Sequence, residues 1–364
     1  MKKKISLLAA LLAVLPAAAG AAGDKPEAIR IGVAQVGTGG RPVSGWSFTS
    51  IVADNGSLEE EFKADGIPVK WTYFSGAGPA VNEALANGQL DFAFEGDLPS
   101  LVAKGGGLPT RLIVAVSRFD PVYLAVPADS TARSLEDLKG KRVAVFKGTN
   151  LQLAFANVLA ARGLKESDFK LINMSTFDAN AALLSKDIDA QVSGADLFPL
   201  VDRGVARIIH STQGDPKAGR LTHFLVQEPF AKKYPQVVQR VVNRLVKDAA
   251  WFAVEANRAR SYQIWTKSGL PLSAWKGDYD AFVSKERGSP LFDEFYRAHY
   301  KRLLKSGRDL KLIRKDFDID AWIDPSYLEK AIKDLGLAGT WAPQPADFQP
   351  TLRKASVTSA ASQR

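Results

Sequence analysis

The chain has 364 residues, 46% of them hydrophobic, and no cysteine, which excludes disulfides, thiolate metal sites and a lipid anchor on an N-terminal cysteine. That length predicts two domains, large enough to hold together by burial alone. The formal charge is +9, or +6 without Lys2, Lys3 and Lys4, and the basic residues are dispersed, so no nucleic-acid partner is expected.

Lys2, Lys3 and Lys4 precede an apolar run from Ile5 to Leu15 and then Ala19-Gly20-Ala21, the pattern of an export leader over residues 1–22. The run is too short to span a bilayer. An exported, soluble chain is therefore expected. A strand follows over Ile29–Gly37, then the Gly-rich turn "GTGGRP" and a helix that begins near Ser47 and ends before Gly66. "VKWTYF" reads as a strand leading to Ser75 and a Gly/Pro turn; Pro79 opens a helix that Gly88 closes. The strand "LDFAFEG" runs into "DLPSLVAKGG".

The same order then recurs. "KRVAVFKGTN" is a strand and a turn into an apolar-striped helix that ends at Gly163, with Thr149 or Asn150 as its N-cap. "FKLINM" leads to Ser175, the cap residue Asp178 and the helix "ANAALLS", and "IDAQVSG" runs into "ADLFPLVDRG". Gly37–Gly40 thus corresponds to Gly148–Asn150, Ser75 to Ser175, Asp91 to Asp189, and "GDLP" to "GADLFP". Four matches in one order predict two lobes of like topology, each with a mainly parallel sheet. Ligands of such sheets sit beyond the strands' carboxyl ends, at helix N-termini whose free N–H groups favour anions.

Between the passes, "RLIVAVSRFDPVYLAVPADS" breaks at Asp120-Pro121, and later "RLTHFLVQ" (Arg220–Gln227) returns as a strand; the chain is expected to cross between lobes there. The rest reads as helix: from Pro235 to about Lys267, from a Ser289-Pro290 cap to Gly307, and from an Asp324-Pro325 cap to Gly336. The tail 351–364 is expected to be disordered.

"GQLDFAFEGDLPSLVA", "DLKGKRVAVFKGTN" and "FAKKYPQVVQRVVNRLV" resemble the periplasmic substrate-binding proteins of ABC importers, in the nitrate, taurine and aliphatic sulfonate group of the NMT1/THI5-like superfamily. The resemblance covers nearly all of the mature chain and implies a two-lobed, type II periplasmic-binding-protein fold with a helical C-terminal region. It implies a discontinuous first lobe (24–118 and 226–345) and an inserted second lobe (121–222). It also implies a small anionic ligand, an inner-membrane permease as partner, a periplasmic location and no cofactor; nothing suggests an obligate oligomer. Where many members carry an aromatic before the second-lobe Asp, this chain has "SGADLFPL", with Gly194 and Asp196, a smaller wall with room for a bulkier ligand tail.

The candidate ligand-binding residues follow from both readings. Gly148, Thr149 and Asn150 form the second-lobe turn; Ser75 and Gly76 play the matching part in the first lobe. The loop "GTGGRPVSGW" offers Gly39, Gly40, Arg41 and Trp46. Gly96, Asp97 and Leu98 resemble the family's first-lobe contact point, with Glu95 and Asp97 awkward beside a sulfonate. Arg118 is placed either against Asp120 or against ligand, and His223 is expected to be hydrogen-bonded inside rather than bound to metal. Three histidines with no close spacing give no metal site. The expected ligand is an aliphatic or aryl sulfonate, a sulfate ester or a taurine-like solute. The alternative keeps the fold for a neutral or cationic nitrogen compound, such as a thiamine-precursor pyrimidine. A secreted enzyme is the third reading, but no nucleophile elbow, P-loop or His-rich motif is present.

Overall fold

Short β-branched and aromatic runs become strands here, and segments between them become helices, opened by Thr149 and Ser175 in the second lobe and by Gly76 and Gly96 in the first. The computed structural model describes residues 25–353; the expected leader and tail residues 354–364 lie outside them. The first sheet holds β1 (Ile29–Val33), β2 (Val69–Tyr73), β3 (Phe92–Gly96), β4 (Thr110–Asp120) and β10 (Arg220–Gln227), in the order β2-β1-β3-β10-β4. The second holds β5 (Tyr123–Pro127), β6 (Arg142–Val145), β7 (Lys170–Asn173), β8 (Ala190–Ser193) and β9 (Ala206–Ser211), in the order β7-β6-β8-β5-β9. Each is parallel through its three repeated strands and turns antiparallel where β10 or β5 joins.

The repeat extends to individual atoms. Asp91 accepts from the Arg30 backbone N–H at 2.9 Å and its Nε–H at 3.0 Å, tying the start of β3 to β1. Asp189 does the same for Arg142, at 2.8 and 3.2 Å, ahead of β8. In both lobes a bidentate Arg–Asp pair sets the register at the end of the sheet away from the loops that carry the site.

Two crossings join the sheets, at Pro121–Val122 and through residues 212–219. They hold each other: Val122 N–H donates to Thr212 Oγ1 at 2.8 Å, and Thr212 N–H donates to Val122 O at 3.0 Å. Phe119 stands beside them at φ +62°, a conformation that costs a bulky residue free energy and is kept only under constraint. Gly219 packs on it so closely that a Cβ there would lie 2.7 Å from Phe119 Cα.

The C-terminal region is helical, with different ends from those expected. The helix from Pro235 stops at Ala253, because Val254 turns extended and the Asn257 side chain takes the Trp251 carbonyl; a second helix then runs Arg258–Trp265. The bend lets Trp265 bury among Phe252, Tyr262, Trp275 and Tyr279. The next long helix is Glu294–Asp309, capped by Asp293 rather than by Ser289-Pro290, since Pro290 O accepts from Ala115 N–H of β4. The last helix runs Ser326–Asp334 after Pro325. Residues 351–353 are held, not loose: Thr351 N–H donates to Glu286 and Arg353 N–H to Ala281 O, both at 2.8 Å. Among the described residues no helix is long and apolar enough to cross a membrane.

Candidate ligand-binding cleft

A cleft of about 640 Å³ opens between the sheets, walled by the loops after β1, β2 and β3 on one side and after β6, β7 and β8 on the other. These are the carboxyl ends of the parallel strands, where the doubly wound arrangement leaves helix N-termini facing outward. Gly39, Gly40, Trp46, Ser75, Gly76 and Gly96 line it from the first lobe, and Thr149, Asn150, Gly194 and Asp196 from the second. Trp46 and Ala77 hold positive φ (64° and 51°), so the backbone on the first-lobe wall is strained.

The other candidates stand elsewhere. Arg41 is exposed and outside the cleft wall. Asp97 turns its carboxylate inward, where Oδ1 accepts from Leu98 N–H at 2.6 Å and Oδ2 from Leu221 N–H at 2.7 Å, and Leu98 is core. Arg118 is fully buried on Asp293 at 2.8 Å, with Gln344 Oε1 and Leu291 O, so it meets neither Asp120 nor the cleft. His223 lies inside between Ser100 and Tyr300, at 2.7 and 2.5 Å. Gly148 takes the left-handed turn at φ +77°, but its N–H donates to Gln152 Oε1 at 2.8 Å and it does not line the cleft.

Thr149 is a cap above all. Its hydroxyl donates to Phe146 O at 2.7 Å and accepts from Leu151 N–H at 3.3 Å, which leaves no hydrogen for a ligand. Asn150 reaches across instead. It lies so close to Gly96 that a Cβ there would fall 2.6 Å from Asn150 Nδ2, which makes glycine the fitting residue at this contact between lobes. Its Oδ1 accepts from Arg220 Nη1 at 3.3 Å.

Arg220 is the cleft cation that the sequence did not reveal; nothing marks it apart from its place at the head of the return strand. Its Nη2 donates to Pro121 O at 2.8 Å, and it makes no salt bridge among the described residues. Arg287, also unforeseen, lies at the cleft wall between Asp120 (3.0 Å) and Asp278 (2.6 Å), its guanidinium 3.5 Å from the Tyr279 ring centroid. Tyr123 of β5 donates to Asp278 at 2.9 Å, so this buried group spans both lobes. Burial pushes the Asp120 carboxyl up, against the pull of Arg287 and Arg220. Glu95 is 2% exposed and, among the described residues, has no cation paired with it; burial pushes it up to about 8, against one hydrogen bond from Ser100.

Four buried polar atoms on cleft residues have no partner: Arg220 Nε, Trp275 Nε1, Thr222 Oγ1 and Glu95 Oε1. A buried donor or acceptor left unpaired costs about 1–3 kcal/mol. Phe74, Phe94, Phe146 and Leu270 supply apolar wall beside them. The arrangement suits a molecule with a multiply accepting head and an apolar body. Among the described residues no group of three His, Asp or Glu is placed to hold a metal ion.

Residues 62–257 match the family model described as NMT1/THI5 like. The chain belongs to the NMT1/THI5-like family. A relative from Bacillus subtilis (strain 168), named an aliphatic sulfonates-binding protein, is 27% identical over 258 residues, 69% of this chain and 74% of that one. Among solved structures, a periplasmic sulfonate-binding protein SsuA from Methylobacillus flagellatus KT, of a sulfonate ABC transporter, is 31% identical at a TM-score of 0.73, covering 88% of this chain and 98% of that chain. The two-sheet α/β fold with a helical C-terminal region is the fold of these family members. The desulfurization enzyme DSZB, solved as a cysteine-to-serine mutant with biphenyl-2-sulfinic acid, shares that fold at 18% identity and a TM-score of 0.64, over 84% of this chain and 99% of that one.

Proposed function

We propose that the protein is the periplasmic solute-binding component of an ABC importer, which captures a small organic oxyanion in the interlobe cleft and hands it to an inner-membrane permease. Sulfonates and sulfate esters come first. The observation that carries this is Arg220: a cleft arginine without a carboxylate ion pair, its Nε–H unpartnered, accompanied by the free Trp275 N–H and Thr222 hydroxyl. An oxyanion with three acceptor oxygens answers donors of this kind, and charge-assisted bonds strengthen once the lobes exclude water. The sulfonate-binding relatives support the same ligand class, and the leader pattern supports export. Capture without turnover is supported by the absence of any cysteine, the residue altered in the DSZB mutant. A nitrogen heterocycle is the second reading, favoured by Glu95 Oε1 and the aromatic wall; it leaves Arg220 without an anion.

The test is calorimetric titration of the mature chain with butanesulfonate, followed by recovery of the solute. One site per chain and chemically unchanged sulfonate are expected. No heat of binding, or a converted product, contradicts the proposal.

A further inference from the structure

Glu95 is a buried carboxyl whose two oxygens have different surroundings. Oε2 accepts from Ser100 Oγ at 2.7 Å, while Oε1 is buried without a partner on a residue of the cleft wall. Behind Ser100 the polar chain continues through His223 Nε2 at 2.7 Å to Tyr300, whose hydroxyl stands 2.5 Å from His223 Nδ1. If the Tyr300 hydroxyl donates to Nδ1, then Nε2–H donates to Ser100, and Ser100 gives its one hydrogen to Glu95 Oε2. Ser100 Oγ also stands 2.8 Å from Gly96 O, which competes for that one hydrogen; with it on Glu95 Oε2, Glu95 Oε1 is the member of the chain left without a partner. We propose that Glu95 is a specificity-determining residue of the cleft: as a neutral acid it donates a hydrogen bond from Oε1 to the bound oxyanion, and so selects anions that are fully ionised over those that keep a proton of their own. This rests on the oxyanion reading above.

The ionisable groups packed around Glu95 leave it no other role in that chain. Asp97, on the helix that follows, is turned to the Leu98 and Leu221 N–H groups. His223 on β10 is held neutral by burial, and Tyr300 on the C-terminal helix keeps its hydrogen. Arg220, on β10, is directed to Asn150 and Pro121. Among the described residues no cation pairs with Glu95, so an ionised carboxylate here would stand alone in a dry wall, which is costly. Ionised, Glu95 would repel a sulfonate and accept from the P–OH of a hydrogenphosphonate; neutral, it serves the sulfonate.

The experiment titrates butanesulfonate, and butylphosphonate beside it, into the wild-type chain and Glu95→Gln between pH 6.5 and 9.5. A sulfonate does not change charge over this range, so any pH dependence belongs to the protein. Wild-type affinity for the sulfonate is expected to hold up to about pH 8, where Glu95 ionises, and then to fall about tenfold per pH unit. Glu95→Gln, which keeps a donor and cannot ionise, is expected to lack the fall above pH 8; Asp97, which burial pushes up to about 7, titrates in both proteins alike. At pH 6.5, where butylphosphonate keeps its P–OH, the wild type should prefer the sulfonate. A flat wild-type profile to pH 9.5, or the same fall in Glu95→Gln, overturns the role given to Glu95 while leaving the oxyanion reading intact. No binding of either probe by either protein at any pH overturns both. If Glu95→Gln does not fold, the wild-type profile decides alone.

Discussion

Arg220→Ala should bind butanesulfonate about 100-fold more weakly than the wild type, close to 2.7 kcal/mol. Hydrogen bonds to charged groups in folded proteins contribute about 1.5–3 kcal/mol each, and they weigh most where the donor has no competing partner. Arg220 meets that condition at Nε alone: Nη1 and Nη2 donate to Asn150 and Pro121, and the guanidinium pulls on Asp97, Asp120 and Asp196 without an ion pair among the described residues. The same side chain joins the lobes through Asn150 and Pro121, so its loss also removes contacts that closure needs. Arg220→Lys keeps the charge without the planar fork and should fall between the two. Arg41→Ala, an exposed residue outside the cleft wall, should change nothing and serves as the control. Equal loss in Arg41→Ala and Arg220→Ala, measured by calorimetry, would remove Arg220 from the account.

Arg287→Met should have the largest effect on stability, a loss of about 3–5 kcal/mol. The pair energies themselves are not the reason, because burying three charges roughly cancels their attraction. The reason is what remains: Asp120 and Asp278, each 6% exposed at the side chain, would stand buried without their shared cation. The pH dependence of Asp120 follows in sign. Burial holds its carboxyl above the unfolded value, so it lends stability that is complete below about 3.8 and is lost as pH rises through the raised value. The penalty in Arg287→Met should therefore be large at pH 8 and small near pH 4. Thermal unfolding at both values reads this directly; an equal penalty at both would mean lost packing against Tyr279 and Phe282, not charge, explains the defect.

The sequence made the repeated half of the fold legible, since local chemistry fixes it. Asp91 and Asp189 precede equivalent strands and make equivalent bonds to Arg30 and Arg142. Thr149, one of the two caps offered for its helix, accepts from Leu151 N–H, whereas the helix expected to be capped by Asp178 is capped by Ser175, which accepts from Asp178 N–H. The charged half of the site was not legible, because burial of an arginine depends on distant segments. Arg118 and Arg220 lie on neighbouring strands whose pairing slips between Arg220 and Thr222, while Phe119 takes a left-handed turn beside Arg118. That geometry directs Arg118 to Asp293, 175 residues away, and leaves Arg220 in the cleft. Arg287 follows the same logic: "SKERGSP" reads as a polar loop until Asp120 and Asp278 close around it. The helix from Pro235 read too long for a simpler reason, since its apolar period runs on past the bend at Val254.

The most direct test of oxyanion capture is thermal unfolding of the mature chain against alkane- and arylsulfonates, taurine, sulfate esters, nitrate and thiamine-type pyrimidines. A solute at about a hundred times its dissociation constant adds roughly 2.7 kcal/mol to stability, which a melt resolves. The account predicts a rise with sulfonates or sulfate esters and none with the pyrimidines. A rise with pyrimidines alone would contradict it.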